Sequence, residues 1–249
     1  MAGAAGRSPP AGHAPDQPRL HRRSPGPGPG GRLTPRLYLA LDTATDVPSL
    51  ALGSPESPGD DLRIASRREL SRDVERAAAE LLARRGAGLT DLAGVIVSDG
   101  PGSFTGLRIG IAFAKGLCRA GGLALWSAPS LLGAAFAAAG GRGTVLAAYD
   151  AQRGDEYRAV YRFGTGDARG TAGPARVEVV SAPALVPADT PPPSVAGLVR
   201  TGASAASAAS LIRLRAVAGA LVEIEAPDAW EPAYGRLAEA EARYRARHG

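Results

Sequence analysis

The stretch Gly100-Pro101-Gly102-Ser103-Phe104-Thr105-Gly106-Leu107-Arg108-Ile109-Gly110 limits the fold more than any other, because it sets a glycine-rich loop between the apolar run Leu92 to Val97 and the helix-like run Leu107 to Cys118. Strand, glycine loop and helix in that order form the usual setting for a phosphate cradle, since free amides at a helix N-terminus favour anions. Two tests of spacing go against that reading. A P-loop needs four residues between its glycines and then Lys and Ser or Thr; here three residues separate Gly102 from Gly106, and Leu107-Arg108 follows. The dinucleotide fingerprint needs Gly or Ala where Thr105 stands and an acid about 20 positions later, which is missing. Ser103 and Thr105 are nucleophiles by type, but no histidine is available to activate them and Lys115 lies about three helical turns away. A hydroxyl here is better placed to cap the first amides of the helix. Arg108, one turn in, is read as a partner for an acid in preference to a phosphate ligand.

The helix that follows alternates Gly110, Ala112, Ala114 and Gly116 with Ile109, Ile111, Phe113 and Leu117. Glycine inside a helix costs about 1 kcal/mol relative to alanine, so these positions imply close approach of another backbone. Spacing leaves open whether that neighbour belongs to the same chain or to a partner.

The formal net charge of +5 suggests nucleic acid until it is located. Residues 1–36 hold six arginines against Asp16, which leaves 23 basic and 23 acidic residues in a neutral body. The segment 1–35, rich in Gly, Pro, Ala and Arg, has too little apolar surface to offset the entropy of ordering and is expected to be a disordered tail. Lys115 is the sole lysine among 29 basic residues. Cys118, the single cysteine, excludes an intrachain disulfide and reads as a small buried hydrophobe. His13, His21 and His248 lie in or near the tails, so the body lacks imidazole for a metal or a general base. No apolar run reaches the roughly 18 residues that span a membrane. A soluble, cytoplasmic protein is expected.

Taken in order, Leu37 to Leu41, Leu50 to Leu52 and the alternating Leu62, Ile64, Ser66, Arg68 and Leu70 suggest three antiparallel strands. Ser71 to Arg85 has helical spacing, stopped by Gly86 and Gly88. The Ala93 to Val97 strand, the glycine loop and its helix, a Leu123 to Trp126 strand and an alanine-rich helix after Pro129 complete an α/β lobe over 36–141. The opening pattern then recurs: Thr144 to Tyr149, an acidic turn at Asp150, and a β-rich run from Glu156 to Phe163. This hints at a duplicated fold, with a second, smaller lobe over 142–249. In that lobe a short strand at Val177 to Val180, a proline-rich connection from Pro183 to Pro193, a strand at Val195 to Val199, a helix from Ala203 to Val217 and a charged helix from Ala238 to Arg247 are expected.

Asp42 and Asp150 end the first strands of the two repeats. Acids at two hairpin tips facing a cleft can hold a metal bridged to nucleotide phosphates; each can equally cap its own turn. No glycine in Asp42-Thr43-Ala44-Thr45 lets a backbone approach phosphate closely, which disfavours hydrolysis and leaves binding without turnover open.

Four landmarks occur in sequence: Leu39 to Thr45, Gly100 to Gly110, Ala147 to Tyr157, and Glu231-Pro232-Ala233-Tyr234-Gly235-Arg236. Together they resemble the bacterial TsaB (YeaZ) family over about residues 36–236. The resemblance implies an α/β, actin-like (ASKHA) duplicated fold of two lobes with mixed sheets flanked by helices. It also implies a role in making threonylcarbamoyladenosine next to the tRNA anticodon. In that family TsaB is the non-catalytic relative of the metal-dependent transferase TsaD, and TsaE is an ATPase that joins them. The implied partners are TsaD and TsaE, with tRNA engaged through the complex and a homodimer left open. No cofactor of the chain's own is implied, though ATP or ADP has a place at the complex interface. The family's dimerisation helices correspond to about 71–85 and 107–118, which nominates Val74, Ala78 and Leu81 on the first and Arg108, Ile109, Gly110, Ile111, Phe113 and Ala114 on the second. The competing readings are an independent actin-like ATPase or kinase using Asp42 and Asp150, and a protease acting on TsaD.

Overall fold

The computed structural model describes residues 36–65, 69–165 and 175–232. The expected tail over 1–35, Ser66 and Arg68 of the third-strand pattern, the helix over 238–247 and Ala233 to Arg236 of the last landmark lie outside these residues.

In chain order the elements are β1 (Leu37–Asp42), β2 (Ser49–Gly53), β3 (Leu62–Arg63), α1 (Leu70–Arg85), β4 (Leu92–Ser98), α2 (Phe104–Gly121), β5 (Ala124–Ala128), α3 (Ser130–Ala139), β6 (Gly143–Asp150), β7 (Asp155–Thr165), β8 (Ala175–Pro187), β9 (Leu198–Thr201), α4 (Ala208–Leu214) and β10 (Val222–Glu223), with 3-10 turns at Leu89–Asp91 and Ala203–Ala205. They build a six-stranded sheet in the order β10-β5-β4-β1-β2-β3 and a four-stranded sheet in the order β8-β7-β6-β9. In the first, β1 pairs antiparallel with β2 and parallel with β4, and β2 pairs antiparallel with β3. In the second, β6 pairs antiparallel with β7 and parallel with β9, and β7 pairs antiparallel with β8. The arrangement β3-β2-β1-β4 is therefore repeated in order and sense as β8-β7-β6-β9, which gives the recurrent strand–acid–turn pattern its structural basis.

Alternation along β1 shows how the layers form. Leu39 and Leu41 join a core with α1 and α2, while Tyr38 and Ala40 point the opposite way into a core shared with α3, α4 and the second sheet. A strand buried on both faces reads as one continuous apolar run, as Leu37 to Leu41 does. At the second core, Gly133 of α3 lets Leu211 of α4 approach, with 3.1 Å left for an added Cβ. Beside it Arg215 lies 4.7 Å from the Trp126 ring centroid and 5.8 Å from that of Tyr38.

Three expected elements change. The third strand shortens to Leu62–Arg63 and Leu70 begins α1 instead, because Leu70 continues the buried stripe of Val74, Ala77, Ala78 and Leu81 by one helical turn. The short strand at Val177 and the proline-rich connection merge into the 13-residue β8. Proline is tolerated there because β8 is an edge strand with irregular register near Pro183, so missing amides cost no ladder bonds. The helix expected over 203–217 divides at Ala206 and Ser207, where Ser207 Oγ accepts from Ser210 N and starts α4. The strand β10, which returns to the first sheet beside β5, was not expected.

Every free amide in the first turn of α4 is satisfied. Ala208 N donates to Ser49 Oγ at 3.1 Å, Ala209 N to Asp61 Oδ1 at 2.9 Å, and Ser210 N to Ser207 Oγ, while Ser207 Oγ donates to Asp61 Oδ2 at 2.6 Å. Asp61 thus fastens the loop before β3 to a helix 146 residues away in sequence. Asp61→Ala is expected to lower stability by about 1–2 kcal/mol, the value of a charge-assisted helix cap, as measured by urea unfolding.

Candidate functional site

The site forms where the β1–β2 turn meets the start of α2. A Cβ added at Gly102 would lie 2.4 Å from Ala44 O, one at Gly106 2.1 Å from Thr43 O, and one at Gly110 2.3 Å from Thr43 Oγ1. Gly102 lies in the loop just before the N-cap Ser103, while Gly106 and Gly110, four residues apart, stand nearly one above the other along the helix. The three form a socket that receives the turn Asp42-Thr43-Ala44-Thr45. The turn is buried throughout, and Ser103 N donates to Ala44 O at 2.7 Å. The close neighbour implied by glycines inside a helix is therefore, at Gly110, the chain's own Thr43. A Cβ added at Gly116 would meet no other group within 4 Å.

Of the two hydroxyls, Ser103 is the cap: its Oγ accepts from Gly106 N at 3.2 Å. Thr105 is exposed in the first turn. Ser130 holds the other side of the loop, with Gly100 N donating to Ser130 Oγ at 3.0 Å and Ser130 N donating to Gly100 O at 2.8 Å. Gly100 has φ +112°, a conformation that side chains resist. The loop amides of Gly100, Ser103 and Gly106 thus bond within the chain.

Asp42 is buried, with Oδ1 accepting from Ser98 Oγ at 2.9 Å and from Ala44 N at 3.2 Å. Its Oδ2 is buried without a partner among the described residues. Burial raises its pKa to about 6, the bonds from Ser98 and Ala44 oppose that rise, and Asp61 adds to it. Asp150 is exposed, and its Oδ1 accepts from Gln152 N at 2.6 Å. Both acids thus bond an amide two residues on, as turn caps do. Burial also raises Asp99, against a bond from Ser127. Tyr149 is held well above the usual phenol range by burial, with Asp42 and Tyr161 contributing, while its hydroxyl donates to Ser130 O at 2.9 Å. Among the described residues no cluster of three or more His, Cys, Asp or Glu could hold a metal. Burial lifts the Cys118 thiol to about 11, in keeping with a packing role.

The nominated interface residues divide. Val74, Ala78, Leu81, Ile111 and Ala114 lie in the core between α1, α2 and the first sheet, and Gly110 faces the socket. Arg108 is exposed, with its guanidinium 5.5 Å from the Phe104 ring centroid, and Ile109 and Phe113 are half-buried. Phe104, Arg108, Ile109, Ala112 and Phe113, with Ser71 of α1, line a shallow groove of about 550 Å³. Helical periodicity explains the division: positions 104, 105, 108, 109, 112 and 113 share one face, opposite 106, 107, 110, 111 and 114. Further along α2, Lys115 Nζ donates to Trp230 O at 2.6 Å and lies 5.7 Å from the Trp230 ring centroid. Sequence reasoning did not find this contact, although a sole lysine among so many arginines was a visible signal.

Residues 63–209, more than half of the chain, match the family model "TsaD: tRNA N6-adenosine threonylcarbamoyltransferase". The chain is 36% identical over 126 residues to an Escherichia coli protein and 37% identical over 79 residues to a Bacillus subtilis protein, each named "tRNA threonylcarbamoyladenosine biosynthesis protein TsaB". The chain belongs to the TsaD-type family and, within it, to the TsaB (YeaZ) proteins. These alignments take in 50% and 30% of this chain and 54% and 33% of the two relatives, so the chain spans about half or less of the curated TsaB proteins it matches. Among solved structures, YeaZ from Pseudomonas aeruginosa superposes with a TM-score of 0.61 at 23% identity, covering 72% of this chain and 90% of that one. A structure described as an uncharacterized protein with similarity to peptidase YEAZ, from the same organism, gives 0.62 at 21% identity, covering 81% of this chain and all of the other. The chain therefore has the actin-like α/β fold, two mixed sheets flanked by helices. Among its described residues no helix is long and apolar enough to cross a membrane.

Two outcomes follow from the socket. Gly106→Ala is expected to lower stability by about 3 kcal/mol or more, since the new methyl meets backbone that cannot yield, while Gly116→Ala raises it by about 0.5–1 kcal/mol; urea unfolding of both variants measures the contrast. For Asp42, the folded state holds its proton more tightly than the unfolded chain. The group's contribution is thus most favourable at acid pH and declines as pH rises from about 4 to about 6. Stability of Asp42→Asn relative to the parent should climb by up to about 3 kcal/mol across that window, at 1.36 kcal/mol per pKa unit, and a flat difference would show that Asp42 titrates normally.

Proposed function

We propose that this chain acts in the biosynthesis of threonylcarbamoyladenosine in tRNA, as a non-catalytic subunit that docks its α1–α2 face on TsaD. Transfer of the threonylcarbamoyl group then belongs to TsaD, with TsaE and ATP or ADP joining at the complex interface and tRNA bound by the assembly. The names of the curated relatives support the biosynthetic role.

The observation that carries the docking role is the open apolar groove on α2. The inner face of that helix is taken up within the chain: Gly106 and Gly110, with Gly102 of the preceding loop, receive the turn, and Leu107, Ile111 and Ala114 fill the core. Phe104, Ile109 and Phe113 are half-buried, and apolar surface gathered on one face and rimmed by Arg108 and Ser71 is what a protein partner covers. The contact surface is accordingly assigned to this outer set. Gly110 and its buried neighbours support it from beneath by holding α2 against the β1–β2 turn.

Phe113→Glu is expected to weaken binding to TsaD by at least about 30-fold, the effect of losing a 2 kcal/mol interface anchor. Thermal unfolding should be nearly unchanged, because the side chain is only half-buried. Titration calorimetry with TsaD from the same organism, together with modification assays supplied with TsaE, ATP and threonylcarbamoyl-adenylate, checks this. Wild-type chain that neither binds TsaD nor supports modification would rule out the proposal.

A further inference from the structure

Val145, Ala147 and Tyr149 alternate along β6 and face the core that α3 shares with the second sheet. Phenylalanine would fill the last of these places with the same ring, and a buried phenol without a partner is costly, so the hydroxyl calls for a reason. At Tyr149, 3% exposed, it donates to Ser130 O at 2.9 Å. Burial, with Asp42 and Tyr161 contributing, holds this phenol well above the usual range, so it keeps the proton that it donates. Ser130 is fully buried and opens α3, where the N-cap Pro129 offers no side-chain bond to the first turn. The glycine loop takes that place: Ser130 N donates to Gly100 O at 2.8 Å, and Ser130 Oγ accepts from Gly100 N at 3.0 Å. Four residues beyond Gly100, Phe104 opens α2 and lines the groove. Hydrogen bonds therefore run from the second sheet through Ser130 to the loop that carries the head of α2. Tyr161 supplies the contrast. It also belongs to the second sheet and the same core, 1% exposed, yet its hydroxyl has no partner among the described residues.

We infer that Tyr149 is a positioning residue for the docking face: by holding Ser130 from the second lobe it fixes the glycine loop, and with it Phe104 and the near end of the groove. As a statement about docking this rests on the proposed contact with TsaD; the hold on the loop does not. A loop fastened at a few points opens more often when one of them is lost. A partner that needs the groove formed then binds only the fraction of molecules in which the loop is seated.

The test is hydrogen exchange of the full chain, read by NMR at single amides, in the parent, Tyr149→Phe and Tyr161→Phe. In Tyr149→Phe the amides of Gly100 and Ser130 should exchange about fivefold faster, the factor equivalent to one ordinary hydrogen bond of about 1 kcal/mol. A merely structural loss of stability speeds the amides that exchange through global unfolding, such as Val95 and Ile96 in the middle of β4, and leaves the locally opening Gly100 at the parent's rate. That result would overturn the inference. Tyr161→Phe, the same truncation at an unpartnered hydroxyl, should leave Gly100 unchanged; equal acceleration would trace the effect to the aromatic core and overturn it as well. Calorimetry should find TsaD bound up to about fivefold more weakly by Tyr149→Phe and as tightly as before by Tyr161→Phe. Undiminished affinity in a chain whose Gly100 exchanges faster would refute the positioning role. If TsaD binds none of the three chains, the docking proposal fails while the exchange rates still decide whether Tyr149 holds the loop.

Discussion

The seating of one turn against one helix determines the rest of the structure. Thr43 and Ala44 press their backbone carbonyls into the space left by Gly102 and Gly106, and the Thr43 side chain fills the space at Gly110. Because interiors pack like crystals, a single methyl in that socket has nowhere to go. The contact fixes the rotation of α2 about its axis, and with it which residues enter the core and which remain outside. The groove of Phe104, Ile109 and Phe113 is thus the opposite face of the same event.

Electrostatics gather at this turn for the same reason. Packing the turn inward takes Asp42 out of water, leaves one carboxylate oxygen without a partner among the described residues and raises its pKa to about 6. The repeated acid, Asp150, ends an equivalent strand but stays exposed. Among the described residues no helix presents glycines to its turn; instead Gln152 and Arg153 take φ values of 64° and 58° followed by Gly154 at 84°. The same local sequence pattern therefore has two outcomes, decided by whether a helix with small residues is available to receive the turn.

Much of the architecture was legible in the chain. The apolar runs at β1, β4 and β6, the spacing of α1 and the αL glycines that end α1, α2 and α3 were readable because period and stop signals are local. Long β8, short β3 and the late β10 were not. Whether Pro183 sits in a connection or an edge strand depends on the neighbour it pairs with, and two-residue strands such as β10 carry no period at all. At the site, the distinctive loop and a capping hydroxyl at Ser103 or Thr105 were readable, whereas the Asp61 bond to α4 and the Lys115 bond to Trp230 join residues more than 100 positions apart.

By itself the sequence determined that a strand, a glycine loop and a helix follow one another, that the glycine spacing suits neither nucleotide motif, and that the strand–acid–turn pattern occurs twice. Local sterics and hydrophobic period suffice for those conclusions. Only the tertiary structure decided which neighbour the glycines admit, because a missing Cβ specifies a space without specifying its occupant. It also separated Ile111 and Ala114, which are buried, from Ile109 and Phe113, which reach the surface, since a helix that is apolar nearly all round reveals its inner face only when its rotation is fixed by what it packs against.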